Sequence, residues 1–260
     1  MIMARGEVLE RIERASAPPV AAPDDPADAT DDKPLPAGAA IRPSSRVRDG
    51  LTVLGALAGY LLLSLLDRAA YKALFVGHAN LNWLEDAEWY KLLRVLGSLW
   101  TWSLIALVFI AHDTGRALDA GARREGRGPA WERGVRIFAA AVVAGLLAEL
   151  AKVVVGRWRP IDTDGYYVYS GLVAGFLKPA NGMPSSHAAV AFGSMLTLAV
   201  YVPRATGILI AAAAGCCLSR VLSGAHFVTD TFVGAAFGYA GARLVRPGGW
   251  SGALVAPAAS

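Results

Sequence analysis

Residues 135–155 read VRIFAAAVVAGLLAELAKVVV, an apolar run of 21 residues that contains only three charged side chains. A helix needs about 20 such residues to cross a hydrocarbon core of about 30 Å. Five further apolar runs flank this one, roughly at Gly50–Leu66, Val95–Ala111, Ala188–Val202, Ala205–Leu222 and Phe227–Val245. Gly and Ala are frequent inside the runs, and small residues let membrane helices approach closely. The pattern predicts an all-α, integral-membrane bundle of six helices.

The composition of the chain agrees with a membrane protein. Hydrophobic residues make up 55% of the 260 residues, charged residues make up 18%, and the mean hydropathy is +0.41. Soluble chains average about 45–50% apolar and about 25% charged residues. The net charge is +4, but the basic residues gather at the ends of the apolar runs, as in membrane proteins. We therefore predict a bilayer as partner and no nucleic acid.

Three regions follow from the same pattern. Residues 1–48 are predicted to form a flexible cytoplasmic tail, because residues 17–40 consist mainly of Pro, Ala and Asp. Residues 49–247 are predicted to form the six-helix membrane domain, and residues 248–260 a short second tail. More Arg and Lys residues lie on the side of the two termini than on the other side. The positive-inside rule then predicts a multi-pass protein of a plasma or inner membrane with both termini in the cytoplasm.

Polar side chains gather at the ends of the last four apolar runs. Ionisable residues inside or at the rim of membrane spans are costly and usually mark function. Alternating spans bring these four ends to one face, which the predicted orientation makes extracytoplasmic. The residues concerned are Lys152 and Arg159 at the third run, Ser185, Ser186 and His187 before the fourth, Arg220 at the end of the fifth, and His226 and Asp230 at the start of the sixth. The sequence thus predicts one outer pocket that contains cations, imidazoles and a carboxylate.

These residues form three motifs. They are K-x6-R-P from Lys152 to Pro160, P-S-S-H from Pro184 to His187, and S-R-x5-H-x3-D from Ser219 to Asp230. The set resembles the three-part signature of the type 2 phosphatidic acid phosphatase family, which shares its site with the vanadium haloperoxidases. The second motif departs from the family at Ser186, where glycine is usual. A serine supplies the same backbone N–H, but it would be strained if the position required a positive φ.

The resemblance implies a membrane lipid phosphatase that needs neither a metal nor another cofactor. Its substrate would be a phosphate or diphosphate monoester of a lipid, such as phosphatidylglycerophosphate, phosphatidate, an isoprenoid diphosphate or lipid A. The implied roles are nucleophile for His226, which would form a phosphohistidine, orientation of its ring for Asp230, and general acid for His187. Phosphoryl transfer spreads negative charge over three oxygens, and cations such as Lys152, Arg159 and Arg220 suit those oxygens. Ser185 and Ser186 open a helix, whose N-terminus attracts anions.

Each motif taken alone also has a structural interpretation. The position of Lys152 at a span end is typical of a lysine whose ammonium snorkels to the membrane surface, and that of Arg159 is typical of a membrane-surface anchor. A serine at position 185 or 186 is typical of an ordinary helix N-cap, and the spacing of His226 and Asp230 is typical of a hydrogen bond within one helix. Two other functions therefore stay open, a lipid phosphotransferase that uses the same phosphohistidine and a non-catalytic phospholipid binder or transporter. The sequence does not set the oligomeric state.

Two further segments carry aromatic residues. The stretch 67–94, with Trp83, Trp89 and Tyr90, is predicted to be a short, sparsely helical loop at the membrane interface. The segment 166–169, Tyr-Tyr-Val-Tyr, suits either the mouth of the pocket or interfacial anchors.

Overall fold

The computed structural model describes residues 45–119, 130–170 and 182–246. These ranges contain eight α-helices, which are α1 Ser45–Leu74, α2 Leu81–Asp86, α3 Glu88–Val95, α4 Leu99–Asp119, α5 Glu132–Val155, α6 Ser186–Tyr201, α7 Thr206–Leu222 and α8 Val228–Leu244. The same ranges contain no β-strand. Each of the six apolar runs lies largely within one helix. The predicted all-α membrane fold is confirmed.

Three helices are long and apolar enough to cross a membrane, namely α1 from Gly50 onward, α5, and the segment Pro203–Leu222 that contains α7. Helices α3 and α4 pass the same test together, although their axes are bent by 69°. The 16 residues of α6 and the 17 of α8 extend only about 24–26 Å at 1.5 Å per residue. Crossing of the bilayer by all six helices therefore stays a prediction.

The structure differs from the sequence prediction in the extent of the first helix and in the stretch 67–94. Helix α1 begins at Ser45, inside the predicted tail 1–48, and continues past Leu66 to Leu74. The stretch 67–94 is mostly helical rather than a sparse loop, because its side chains Tyr71, Leu84 and Tyr90 are buried against the bundle. Residues 1–44 and 247–260, which include most of both predicted tails, lie outside the described residues, so the domain boundaries stay predictions.

Helix α6 packs against α5, α7 and α8, and small residues make the α6–α8 contact close. A Cβ atom at Gly234 of α8 would overlap the carbonyl oxygen of Ser185, and one at Gly238 would overlap the Ala189 carbonyl. Small residues serve this purpose in membrane helix pairs, because lipid supplies no hydrophobic force to press helices together. The contact fixes the N-terminus of α6 beside the first turn of α8, where the predicted site residues lie.

Candidate active site

The first and second motifs meet through side chains. Lys152 lies in the last turn of α5, and its Nζ donates hydrogen bonds to the Ser186 Oγ at 2.9 Å and to the Glu149 Oε1 at 2.7 Å. Ser186 is the first residue of α6. The serine that replaces the usual glycine therefore contacts the predicted phosphate-binding lysine directly.

The second and third motifs meet through the backbone. The Ser185 N–H donates to the carbonyl of Asp230 at 2.9 Å, and its hydroxyl accepts from the Ala188 N–H at 3.4 Å as the N-cap of α6. The cap is the structural interpretation of Ser185, so phosphate binding by its side chain stays a prediction. Asp164 is the only non-glycine residue with a positive φ in the described ranges. Ser186 thus occupies its position without backbone strain.

His226 is buried just before α8, and a carbonyl group sets its tautomer. Its Nδ1 lies 2.6 Å from the Gly182 oxygen. A carbonyl oxygen only accepts hydrogen bonds, so Nδ1 carries the proton and Nε2 keeps a free lone pair. Burial lowers the pKa of His226 below its usual value, although the nearby Asp230 carboxylate opposes the change. The ring is therefore neutral near pH 7, the form in which a histidine acts as a nucleophile.

The position of Asp230 differs from the role that the resemblance implies. Its Oδ2 lies 3.8 Å from the His226 Nδ1, beyond hydrogen-bond distance, and accepts instead from the Phe227 N–H at 2.6 Å. Its Oδ1 accepts from the Arg157 guanidinium. The carboxylate fixes the first turn of α8, and the Gly182 carbonyl holds the imidazole. The motifs gave no signal for Gly182, because a backbone oxygen is independent of side-chain type.

Arg157 lies at the centre of a buried polar cluster that the motifs do not include. The side chain is fully buried, and its Nη2 donates to the Thr229 hydroxyl at 2.8 Å and to Asp230. Its guanidinium carbon lies 4.8 Å from the ring centre of Tyr167. Burial lowers the pKa of Arg157, but the Asp230 charge outweighs it, so the pKa is raised and the side chain stays charged. Tyr167 is still 41% exposed, so both interpretations of the segment 166–169 stay open.

Asp67 of α1 completes this cluster. Its Oδ1 accepts from the Thr229 N–H at 3.0 Å, and its Oδ2 accepts from the Tyr167 hydroxyl at 2.8 Å and from the Thr229 hydroxyl. Burial and the hydrogen bond to Asp67 raise the pKa of Tyr167, which keeps its hydroxyl a donor. An aspartate at the end of an apolar run was the available signal, since a buried carboxylate needs partners.

Two predicted phosphate ligands present unpaired donors. The Nε atoms of Arg159 and Arg220 are buried and have no hydrogen-bond partner within the described residues. Buried donors are normally paired, so two orphaned guanidinium nitrogens indicate a place for an acceptor that the described residues do not supply. His187, half-buried in the first turn of α6, has Arg220, Lys152 and His226 among its ionisable neighbours. The structure therefore brings the ends of α5 and α7 and the starts of α6 and α8 to one place.

A mainly apolar cavity of about 340 Å³ adjoins this cluster. Glu149, Ser186 and His187 line one part of it. The apolar part of the lining includes Leu99, Val142, Gly145, Leu146 and Val190, from α4, α5 and α6. The cavity thus adjoins α5, which is a candidate membrane span.

The described ranges contain no group of three or more His, Cys, Asp or Glu side chains placed to hold a metal ion. The prediction that the site needs no metal is tested by measuring activity in the presence of EDTA.

The family model described as PAP2 superfamily matches residues 133–250, which contain every predicted site residue. Over these residues the chain is similar to the PAP2 superfamily. This match confirms the resemblance drawn from the three motifs.

Two relatives extend the comparison. A lipid A 1-phosphatase of Rhizobium etli is 30% identical over 143 residues, which are 54% of this chain and 61% of the relative. A lipid A 1-phosphatase of Rhizobium johnstonii is 32% identical over 105 residues, which are 40% of this chain and 43% of the relative. The aligned part of the chain thus spans about three-fifths and two-fifths of the lengths of these relatives. No solved structure matches the chain.

Proposed function

We propose that this PAP2 protein is a membrane lipid phosphatase that hydrolyses a phosphate or diphosphate monoester of a lipid through a phosphohistidine. The observation that carries the proposal is the neutral His226, whose Nδ1 proton is directed to the Gly182 carbonyl at 2.6 Å so that Nε2 has a free lone pair. This nucleophile shares its surroundings with Lys152, Arg220 and His187. A nucleophile beside a set of cations suits phosphoryl transfer.

Binding of the phosphate is the first step. Arg159 and Arg220 donate through their unpaired guanidinium nitrogens, and Lys152 adds a third positive charge at the N-terminus of α6. The charge of the phosphate is spread over its equatorial oxygens, and the three cations stabilise it further as the transition state forms. The orphaned donors then gain the partners that the free protein lacks.

Two displacements at phosphorus complete the reaction. The His226 Nε2 attacks phosphorus, the bond to the ester oxygen breaks, and His187 gives that oxygen its proton as the lipid alcohol or lipid monophosphate leaves. His187 then takes a proton from water, whose oxygen attacks phosphorus and breaks the P–N bond. Inorganic phosphate is released, and both histidines return to their starting forms.

The substrate class follows from the relatives and the cavity. Both relatives are named lipid A 1-phosphatases, which favours a lipid A type substrate among the four classes that the motifs allow. The apolar cavity beside Ser186 and His187 is suited to one hydrocarbon chain of the same lipid. The distribution of Arg and Lys favours a site on the extracytoplasmic face.

The proposal is tested with the purified protein in detergent and a panel of four lipids: lipid A, phosphatidylglycerophosphate, phosphatidate and an isoprenoid diphosphate. We expect phosphate release without an added acceptor, a trapped acid-labile phosphoenzyme, resistance to EDTA and inhibition by vanadate. His226→Ala should abolish release while the protein still folds. Product formation only with an acceptor alcohol would instead identify a phosphotransferase, and full function in His226→Ala would identify a binder. Loss of activity on chelation would require a metal.

A further inference from the structure

Helix α3 lies outside the three motifs, yet it packs along the side of the site. Leu93 of α3 fills the space beside Gly215 of α7, since a Cβ at Gly215 would stand 2.7 Å from the Leu93 Cδ2. Just beyond α3, a Cβ at Gly97 would stand 2.7 Å from the Cβ of His187. These contacts tie the inner face of α3 to both α7 and the start of α6.

The same face carries Tyr90 and Arg94, which are one helical turn apart and therefore project on one side. Both are electrostatic neighbours of Arg220, and Arg94 is also a neighbour of His187. The two side chains therefore lie near Arg220, one of the predicted phosphate ligands.

The Tyr90 hydroxyl is a buried donor without a partner. The side chain is fully buried, and its hydroxyl oxygen has no hydrogen-bond partner in the part of the chain that the structure describes. Leaving a buried hydroxyl unpaired costs free energy, which an incoming acceptor recovers. The nearby Arg220 Nε is unpaired in the same way. Two orphaned donors from different helices indicate a ligand that supplies acceptor oxygens to both.

Arg94 is the less buried part of the same face. Its nearest carboxylate, Glu85, is 4.0 Å away, and both side chains are about half exposed (47%), so the pair is weak. Arg94, Arg159 and Arg220 repel one another unless an anion lies between them. The proposed function already assigns the transferred phosphate to Lys152, Arg159 and Arg220. Arg94 is an electrostatic neighbour of His187, the residue that the proposed function assigns to protonation of the leaving group.

We infer that Tyr90 and Arg94 form an anion subsite for a substrate whose leaving group carries its own negative charge, as in a diphosphate ester. Tyr90 donates to the transferred phosphate, and Arg94 binds the phosphate that leaves with the lipid. The inference rests on the proposed function for the direction of cleavage. It adds a preference for diphosphate over monophosphate that the family motifs do not contain.

Binding measurements test this without turnover. Calorimetry on the full chain in detergent compares inorganic phosphate with methylenediphosphonate, whose P–C–P bridge resists hydrolysis. We expect the wild type to bind methylenediphosphonate at least tenfold more tightly, and Arg94→Gln to remove about tenfold of that advantage while phosphate binding is unchanged. Tyr90→Phe should weaken both ligands several-fold. Lys91→Gln is the matched control, because Lys91 lies on the same helix, is half exposed and pairs with Glu88.

Several results would overturn the subsite. These are a wild type with no preference for methylenediphosphonate, an Arg94→Gln protein that loses both ligands equally or neither, and a Lys91→Gln protein with the same loss as Arg94→Gln. Arg94 is half exposed, so we expect Arg94→Gln to fold normally without disturbing the packing of the core. Failure of the wild type to release phosphate from any lipid would refute the proposed function instead and would leave the binding result intact.

Discussion

The Lys152 ammonium donates a hydrogen bond to the Ser186 hydroxyl at 2.9 Å, although 34 residues separate the two along the chain. Ser186 stands where the PAP2 motif usually has glycine, and glycine has no side chain to make this contact. The serine therefore joins the lysine of the first motif to the helix that begins at the second. Glu149 holds the same ammonium at 2.7 Å from within α5.

Removing this hydroxyl should weaken the site moderately. A hydrogen bond to a charged group contributes about 1.5–3 kcal/mol, and Lys152 keeps Glu149, so we expect Ser186→Ala to lower kcat/KM about three- to tenfold. Ser186→Gly should behave in the same way, because the backbone here is unstrained. Steady-state assays with one lipid phosphate measure both variants. Ser103→Ala, which removes a hydroxyl bonded only to the Trp100 carbonyl of its own helix, is the control. A Ser186→Gly enzyme faster than the wild type would contradict the role given to this hydroxyl.

It was predictable that the three motifs lie at one face, because this depends only on the lengths of the helices and on the alternating direction of successive spans. Apolar runs fix where helices begin and end, and the polar residues at Lys152, Ser186, Arg220 and His226 lie at those ends. The sequence also indicated close helix packing, since Gly and Ala are frequent in the apolar runs, but it did not identify α6 and α8 as the pair.

The partners of His226 and Asp230 were not predictable in this way. The Gly182 carbonyl is a backbone group that any residue supplies, so no sequence pattern marks it. Asp67 is far from the motifs in the chain and meets Thr229 only because α1 packs against α8. Helix α3 was mistaken for a loop because it is only eight residues long, although its sequence, EWYKLLRV, is strongly amphipathic.

The buried carboxylate of Asp67 should matter for stability. Asp67→Ala leaves the Thr229 N–H without an acceptor and leaves the Tyr167 hydroxyl only the Ser64 carbonyl at 3.2 Å. It also removes a charge near Arg157, which is 4.0 Å away. Breaking such a buried charged cluster costs about 3–5 kcal/mol. Asp67→Asn keeps one acceptor oxygen and should cost less, about 1–3 kcal/mol. Thermal unfolding in detergent ranks the variants, with the exposed Asp86→Asn as a control of unchanged Tm. Equal Tm values for Asp67→Ala and the wild type would show that the cluster does not hold α1 to α8.

The α6–α8 contact predicts a contrast between two glycines. A methyl group at Gly234 meets the Ser185 carbonyl, which cannot move without shifting Ser186 and His187. Overpacking of this kind costs about 1–3 kcal/mol, so Gly234→Ala should lower the Tm and reduce kcat more than tenfold. At Gly207 of α7 a Cβ would meet nothing within 4 Å, and Gly207→Ala should keep full activity. Tm and kcat measured on both proteins check the contrast, and a fully active Gly234→Ala would refute it.

The acid limb of the pH profile should report His226. Protonation removes the lone pair on Nε2, so activity is lost as pH falls through the pKa of the folded protein. Burial places that pKa below the usual 6.5, and the limb should therefore have its midpoint below pH 6.5. The pH dependence of kcat/KM is the measurement, and the ionisation of the lipid phosphate is followed separately by ³¹P NMR. A midpoint above 6.5 that is not due to the substrate would mean that the Asp230 charge outweighs burial.

The apolar cavity should select for hydrocarbon chains. Leu146 lines the cavity but is 58% exposed, so Leu146→Trp should narrow the space without disturbing the core. Leu150, one turn further along α5 and 67% exposed, does not belong to the cavity lining, which makes Leu150→Trp a matched control. We expect Leu146→Trp to lower kcat/KM at least fivefold for a long-chain lipid phosphate and to leave a short-chain ester unaffected, since burial of each CH₂ contributes about 0.8 kcal/mol. Equal losses on long and short chains would mean that the tryptophan disturbs His187, and equal losses in Leu146→Trp and Leu150→Trp would mean that the chain lies elsewhere.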